Sequence, residues 1–227
     1  MEEDGTLWIA KFPSRNDDVN IGAWEMVVHE LALLAGIHVP EARHITFSDA
    51  GATFLVKRFD RTVDARMHYA SAMTMVGATD GGGDAYDFLD VAGVIEQIGC
   101  DPKQDLQELW SRIVFHICTS NADNHLRNHG FLLTDNGWRL APSFDVNPVN
   151  DRQTLELRIA GDERRDLRAA MEAAAYFRLN KKDATHRAKE IQRVVRDNWK
   201  KTAGKLGISA QEQKFMRPAF EEAERSL

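Results

Sequence analysis

The chain reads as an α+β fold in two lobes, a small mixed lobe over residues 1–65 and a larger, mostly helical lobe over 66–227. Three observations predict it. Short β-type apolar runs surround a single helix-spaced stripe before residue 60, and from about Tyr69 the spacing turns helical. An Asn-Gly dipeptide between two apolar runs then sets one hairpin inside the helical half. A chain of 227 residues can bury a real core, and 43% hydrophobic with 28% charged residues excludes a disordered or fibrous protein.

Residues 7–12 alternate as a strand, with Leu7, Ile9 and Lys11 on the face expected to point inward and Trp8, Ala10 and Phe12 on the other. Pro13 ends it. Asn20 is placed to cap a helix whose apolar positions are Ile21, Trp24, Val27, Val28, Leu31, Leu34 and Ala35, and Gly36 stops it. Residues 42–47 and 52–59 read as a hairpin through Ser48-Asp49-Ala50-Gly51, and the polar stretch 61–66 is the expected lobe boundary. In the second lobe, 68–76 reads as a short helix and 80–84, with Gly81-Gly82-Gly83, as a surface turn. Residues 86–98 and 106–119 carry dense apolar stripes, and Trp110, like Trp24 in the first lobe, reads as a core residue. Phe131-Leu132-Leu133 and Trp138-Arg139-Leu140 flank Thr134-Asp135-Asn136-Gly137 as a hairpin. Beyond Arg164, the stretches 166–177, 182–203 and 209–225 read as helices, Trp199 docking the second of them.

No apolar run is long enough to span a bilayer, and the acidic start Met1-Glu2-Glu3-Asp4 is unlike a signal peptide, so a cytoplasmic protein without membrane contact is expected. Cys100 and Cys118 lack metal-ligand spacing and read as reduced, buried thiols. The net charge of −6 argues against a general nucleic-acid binder. It is uneven: residues 181–205 hold nine Lys/Arg against three acids, locally +6, which leaves about −12 on the remainder. A solvated helix face accounts for that run, with a nucleic-acid or partner surface as the alternative.

The chemistry is concentrated between Ser120 and Asp145. Asn121-Ala122-Asp123-Asn124-His125-Leu126-Arg127-Asn128 is followed by the hairpin and then Pro142-Ser143-Phe144-Asp145. An acid, an amide five residues on and a second acid seventeen beyond that form the set protein kinases use. There the first acid takes or aligns the substrate hydroxyl, and the amide and second acid hold magnesium against the nucleotide phosphates. Taken singly, Asp123 could be an Asx turn and Asp145 a strand-end cap. The shared spacing favours the catalytic and metal readings, Asn128 and Asp145 offering the oxygen ligands magnesium prefers. Lys11 on an inward face calls for a partner anion, for which a phosphate is the candidate; the alternative is an edge-strand lysine that discourages aggregation. Glu25 on the first helix is the candidate for its carboxylate partner, with Glu30 competing. His125, with His116 and His129, could suggest a metal cluster, but no supporting ligand spacing backs it, so a role steadying Asp123 is preferred. Arg127 could offset phosphate charge or pair with Asp145 or Asp151.

Four motifs in order, Ala10-Lys11-Phe12-Pro13, Arg58-Phe59-Asp60-Arg61, residues 121–128 and Pro142-Ser143-Phe144-Asp145-Val146, give the chain a resemblance to the HipA-like serine/threonine kinases, known as toxins of bacterial toxin–antitoxin pairs. The resemblance covers roughly residues 6–205 and implies a protein-kinase-like fold with a hinge near 57–61, a catalytic loop at 121–128 and a metal-binding segment at 142–146. It implies ATP and Mg²⁺ as cofactors. It assigns Lys11 to the phosphates, backbone of Lys57 and Phe59 to the adenine, Asp60 to the ribose, Asp123 to catalysis, and Asn128 and Asp145 to the metal. The family carries a glycine-rich loop upstream of the lysine strand, whereas ten residues precede Lys11. A truncated N-lobe is therefore expected. The implied partners are a protein substrate, and an antitoxin of the HipB type or a chain that completes the N-lobe. Three rivals stand beside a protein kinase: an incomplete kinase serving as a binding module, a small-molecule phosphotransferase sharing the Asp…Asn…Asp set, and a metal-dependent hydrolase.

Overall fold

In a computed structural model, which describes residues 2–3, 5–48, 51–62, 65–79, 85–151 and 153–227, the first lobe is an antiparallel sheet carrying one long helix. Strands β1 (Glu2–Glu3), β2 (Thr6–Lys11), β3 (Ala42–Ser48) and β4 (Gly51–Lys57) lie in the order β1-β2-β4-β3. Ala10 pairs with Leu55 and Lys11 with Phe54, which puts the lysine on the face shared with Phe54 and Val56. Helix α1 (Ile21–Leu34) packs beside that face. Asn20 Oδ1 accepts from the Ala23 and Ala52 amides, capping the helix and tying it to β4 with one side chain. Gly22 makes the approach possible, since a Cβ there would stand 2.1 Å from the Ala52 carbonyl oxygen.

The second lobe is built on α4 (Pro102–Cys118), started by Asp101 and Pro102 and buried along most of its last three turns. Around it lie α3 (Phe88–Ile98), α5 (Leu167–Ala173) and α6 (Lys181–Lys205), with α7 (Ala210–Met216) and α8 (Glu221–Glu224) closing the end. Strands β6 (Gly130–Thr134) and β7 (Gly137–Leu140) form the hairpin expected at Asn136-Gly137.

The structure corrects several readings. The expected helix at 68–76 starts instead as strand β5 (Tyr69–Ser71), paired with β6 and capped by Ser71 into the one-turn helix α2 (Ala72–Met75). Strands β8 (Thr154–Ile159) and β9 (Asp162–Arg164) occupy a stretch to which the sequence reading gives no element. Leu7 and Ile9 are exposed and Trp8 is buried, because the Lys11 face roofs an open cleft instead of a dry core. Ile21 and Leu34, two members of the stripe expected on α1, are also exposed, whereas Ala35 at its end is buried. Cys118 is buried but Cys100 is exposed, so only one of the two thiols is a core residue. The glycine run at 81–83 lies outside the described residues. No helix among the described residues is long and apolar enough to cross a membrane.

Candidate active site

The end of α4 sets up the loop that carries Asp123. Thr119 caps the helix, and Ser120 takes a left-handed conformation with φ of 51°. The amides of Ser120 and Asn121 turn back onto the carbonyls of Ile117 and His116, the pattern of a Schellman stop. The chain leaves the helix sharply, and Asp123 emerges exposed while Asn121, Ala122 and Asn124 on either side are buried. Asn124 is held from two directions: it donates to His116 Nδ1 at 2.8 Å and accepts from His129 Nε2 at 2.7 Å. Burial pushes His116 down to about 3 and His129 well below the ordinary histidine range, so both rings stay neutral and act as loop fasteners. Among the described residues no group of three His, Cys, Asp or Glu is placed to hold a metal.

Asn128 ends a short 3₁₀ turn (Leu126–Asn128), and its Nδ2 donates to the Asp123 carbonyl at 3.1 Å. That bond fixes the amide so that Oδ1 is the atom left for a cation. Asp145 sits in a left-handed backbone conformation, φ 56°, just after Phe144. Its Oδ1 accepts from Lys11 Nζ at 2.5 Å and from Asn147 Nδ2 at 3.1 Å, and the Asn147 amide donates to Asn121 Oδ1 at 3.2 Å. One asparagine therefore ties the Asp145 segment to the Asp123 loop. Sequence reasoning missed Asn147 and Asn121; a second amide two residues after the acid was the only local signal.

Lys11 Nζ is also 2.5 Å from Glu25 Oε1, so the cation bridges two carboxylates from different elements, and Glu25, not Glu30, is its helix partner. Glu25 is 3% exposed, and burial pushes its carboxyl up to about 7 against the pull of Lys11. For Lys11, desolvation pulls down, but Glu25 and Asp145 outweigh it and leave the ammonium raised and protonated.

These groups stand at one end of a cleft of about 540 Å³ between the lobes. Ile9, Val28, Phe54 and Val56 give it an apolar roof and rear wall. Lys57, Phe59 and Asp60 line one side, and Arg127, Ser143 and Asp145 its floor. Phe59 rests against Tyr69 and Phe144, ring centroids 5.8 and 5.6 Å apart, which joins the stretch after β4 to the segment of Asp145. The Asp60 carboxylate takes two bonds from Arg58 and one from Arg61, at 2.9, 2.7 and 2.5 Å, and the Arg58 bonds hold it below the usual carboxylate range. His125 is half-buried, with Nδ1 enclosed and without a hydrogen-bond partner.

A largely apolar cleft between a small sheet lobe and a helical lobe, closed at one end by a lysine, a helix glutamate and an acid after a hairpin, is the architecture of a protein-kinase-like fold. Solved structures agree on the fold. The HipA of Shewanella oneidensis MR-1, determined with HipB and its operator DNA, aligns with 95% of this chain and 56% of its own at a TM-score of 0.76 and 16% identity. The proinflammatory kinase CtkA of Helicobacter pylori aligns over 98% of this chain and 92% of its own, with a TM-score of 0.59 and 16% identity. The model of the HipA-like C-terminal domain matches residues 1–199, and the chain belongs to that family. Two curated relatives from Sinorhizobium fredii, provisionally named the kinases Y4mE and Y4dM, are 28% and 25% identical over 151 and 158 residues. The matches take in 61% and 64% of this chain, which thus spans only 33% and 38% of those relatives.

Proposed function

We propose that this chain is the catalytic part of a serine/threonine protein kinase of the HipA type, using ATP and Mg²⁺. The observation that carries the reading is the bridge from Glu25 through Lys11 to Asp145 at the end of an apolar cleft. The residues fit the groups they would hold. The cleft walls suit a planar base, Lys11 suits phosphate oxygens, and Asn128 Oδ1 with Asp145 supplies two hard oxygen ligands, the number of protein ligands magnesium takes when phosphates and water complete its shell. Magnesium, when bound, neutralises charge on the phosphates during transfer. Lys11, drawn by Glu25, orients the phosphates. Asp123, exposed on a loop fastened from below, is open to a hydroxyl presented on another protein and aligns it for in-line attack. This favours a protein substrate over a small molecule enclosed in the cleft. By the likeness to a HipA solved with HipB, an antitoxin is the proposed partner.

The test is thermal unfolding with and without Mg-ATP, on wild type and Asp145→Ala. Ligand at about 100 times its dissociation constant adds roughly 2.7 kcal/mol, or several degrees for a chain of this size. The shift should require both magnesium and Asp145. A cooperative transition that Mg-ATP leaves unmoved would reject a nucleotide site in this chain.

A further inference from the structure

Helix α1 carries Glu25, and its position is set by a segment far away in sequence. Glu212 Oε1, on α7, accepts from the Asn20 amide at 2.7 Å and from Trp24 Nε1 at 2.8 Å. α1 has no acidic residue in its own first turn, so Glu212 supplies the negative charge its N-terminus favours. Phe220 lies between two indoles, 5.9 Å from Trp24 and stacked 4.6 Å from Trp199 at 8°. Asn150, in the loop after Asp145, donates to the Phe215 carbonyl at 3.2 Å, so the same segment also reaches the far side of the site. At the opposite end of α1, Arg187 Nη2 donates to the Ala35 carbonyl at 2.7 Å.

We propose that residues 206–227, which lie beyond the stretch matched by the family model, are a latch that locks α1, with Glu212 as the positioning residue for the Lys11–Glu25 pair. Neighbouring residues on a helix stand about 100° apart around the axis, so pinning the Trp24 indole to the C-terminal segment fixes where the Glu25 side chain points. A helix held at both ends and along its face cannot swing away from the sheet. The pair with Lys11 is then set without any partner acting on α1. The functional consequence rests on the phosphotransferase reading; the latch itself does not.

The experiment compares wild type, Glu212→Ala and Glu212→Gln by two readouts that need no nucleotide. Hydrogen exchange reports α1, and acetylation of Lys11, quantified by peptide mass spectrometry, reports the ion pair. In Glu212→Ala, amides of 21–25 should exchange about tenfold faster, the effect of losing a bond to a charged group. Amides of α4 should be unchanged, and Lys11 should acetylate severalfold faster. Glutamine keeps the acceptor oxygen and should restore most of both. Unchanged exchange in α1, or faster exchange spread evenly over the chain, would overturn the latch. Faster exchange with unchanged Lys11 labelling would overturn the positioning role and reduce Glu212 to a helix cap. A protein that follows the expected pattern yet gives no Mg-ATP shift would keep the latch and remove the kinase reading.

Discussion

Replacing Glu25 by glutamine should flatten part of the pH dependence of stability, in the direction opposite to that of most carboxylates. Glu25 is buried on α1, and its carboxyl titrates near 7 where an ordinary glutamate titrates near 4.5. Between those values the folded protein holds a proton that the unfolded chain has released. Stability therefore falls as pH rises from about 4.5 to about 7 and levels off above it. The interval, at roughly 1.36 kcal/mol per pH unit, sets a ceiling of about 3 kcal/mol. The raised ammonium of Lys11 contributes stability fully present below its unfolded value of 10.5, so it adds a constant across this window. Urea unfolding followed by tryptophan fluorescence from pH 5 to 8 gives the comparison, and the quantity to read is wild type minus Glu25→Gln. That difference should fall by about 2–3 kcal/mol over the series, other titrations cancelling. A difference constant to within about 0.5 kcal/mol would refute the argument that burial dominates over Lys11 at this site.

Two further substitutions probe how the site is held. Gly22→Ala would gain about 1 kcal/mol if only helix propensity counted, but its Cβ meets the Ala52 carbonyl at 2.1 Å, so a loss of about 1–3 kcal/mol is expected by chemical denaturation; a stabilised variant would disprove the close contact between α1 and β4. Asn147→Ala removes the side-chain bond to Asp145 but keeps the backbone amide's bond to Asn121, and should raise the magnesium concentration that the Mg-ATP shift requires about 10–100-fold while costing only about 1 kcal/mol of stability. A magnesium titration of that shift in the variant, unchanged from wild type, would remove Asn147 from the site.

Much of this architecture is written locally. Asn20 and Gly36 bracket α1, Asn136-Gly137 turns the hairpin, and the spacing of Asp123, Asn128 and Asp145 brings three separated positions into one hypothesis. Residues 154–159 also carried a readable signal. Leu155, Leu157 and Ile159 are buried alternately with outward polar residues, and Ala160-Gly161, both at positive φ, turn the chain into β9. What was not legible depends on distance. Glu212 and Trp24 are 188 residues apart, and nothing in the spacing of either announces the bond between them. The same holds for Asn147 with Asn121: each is an unremarkable loop amide until the fold sets them side by side.

The misreading of β2 has a more general cause. Period-two alternation shows that Leu7, Ile9 and Lys11 share a face, and a lysine among apolar residues reads as pointing inward. Periodicity cannot say whether the inside of that face is packed protein or an open cleft. Here Ile9 and Lys11 line the cleft, while the opposite face buries Trp8 beneath Arg43, whose guanidinium lies 4.4 Å over the indole. A core side chain would leave no room for a ligand, and a solvent-facing one would leave Ile9 without a role. Lys11, bound to one carboxylate from the helix and one from the opposite lobe, resolves the ambiguity: the face points into the cleft between the lobes. The exposed apolar residues beside a doubly paired lysine, surprising for a core, are what a strand roofing an open cleft should display.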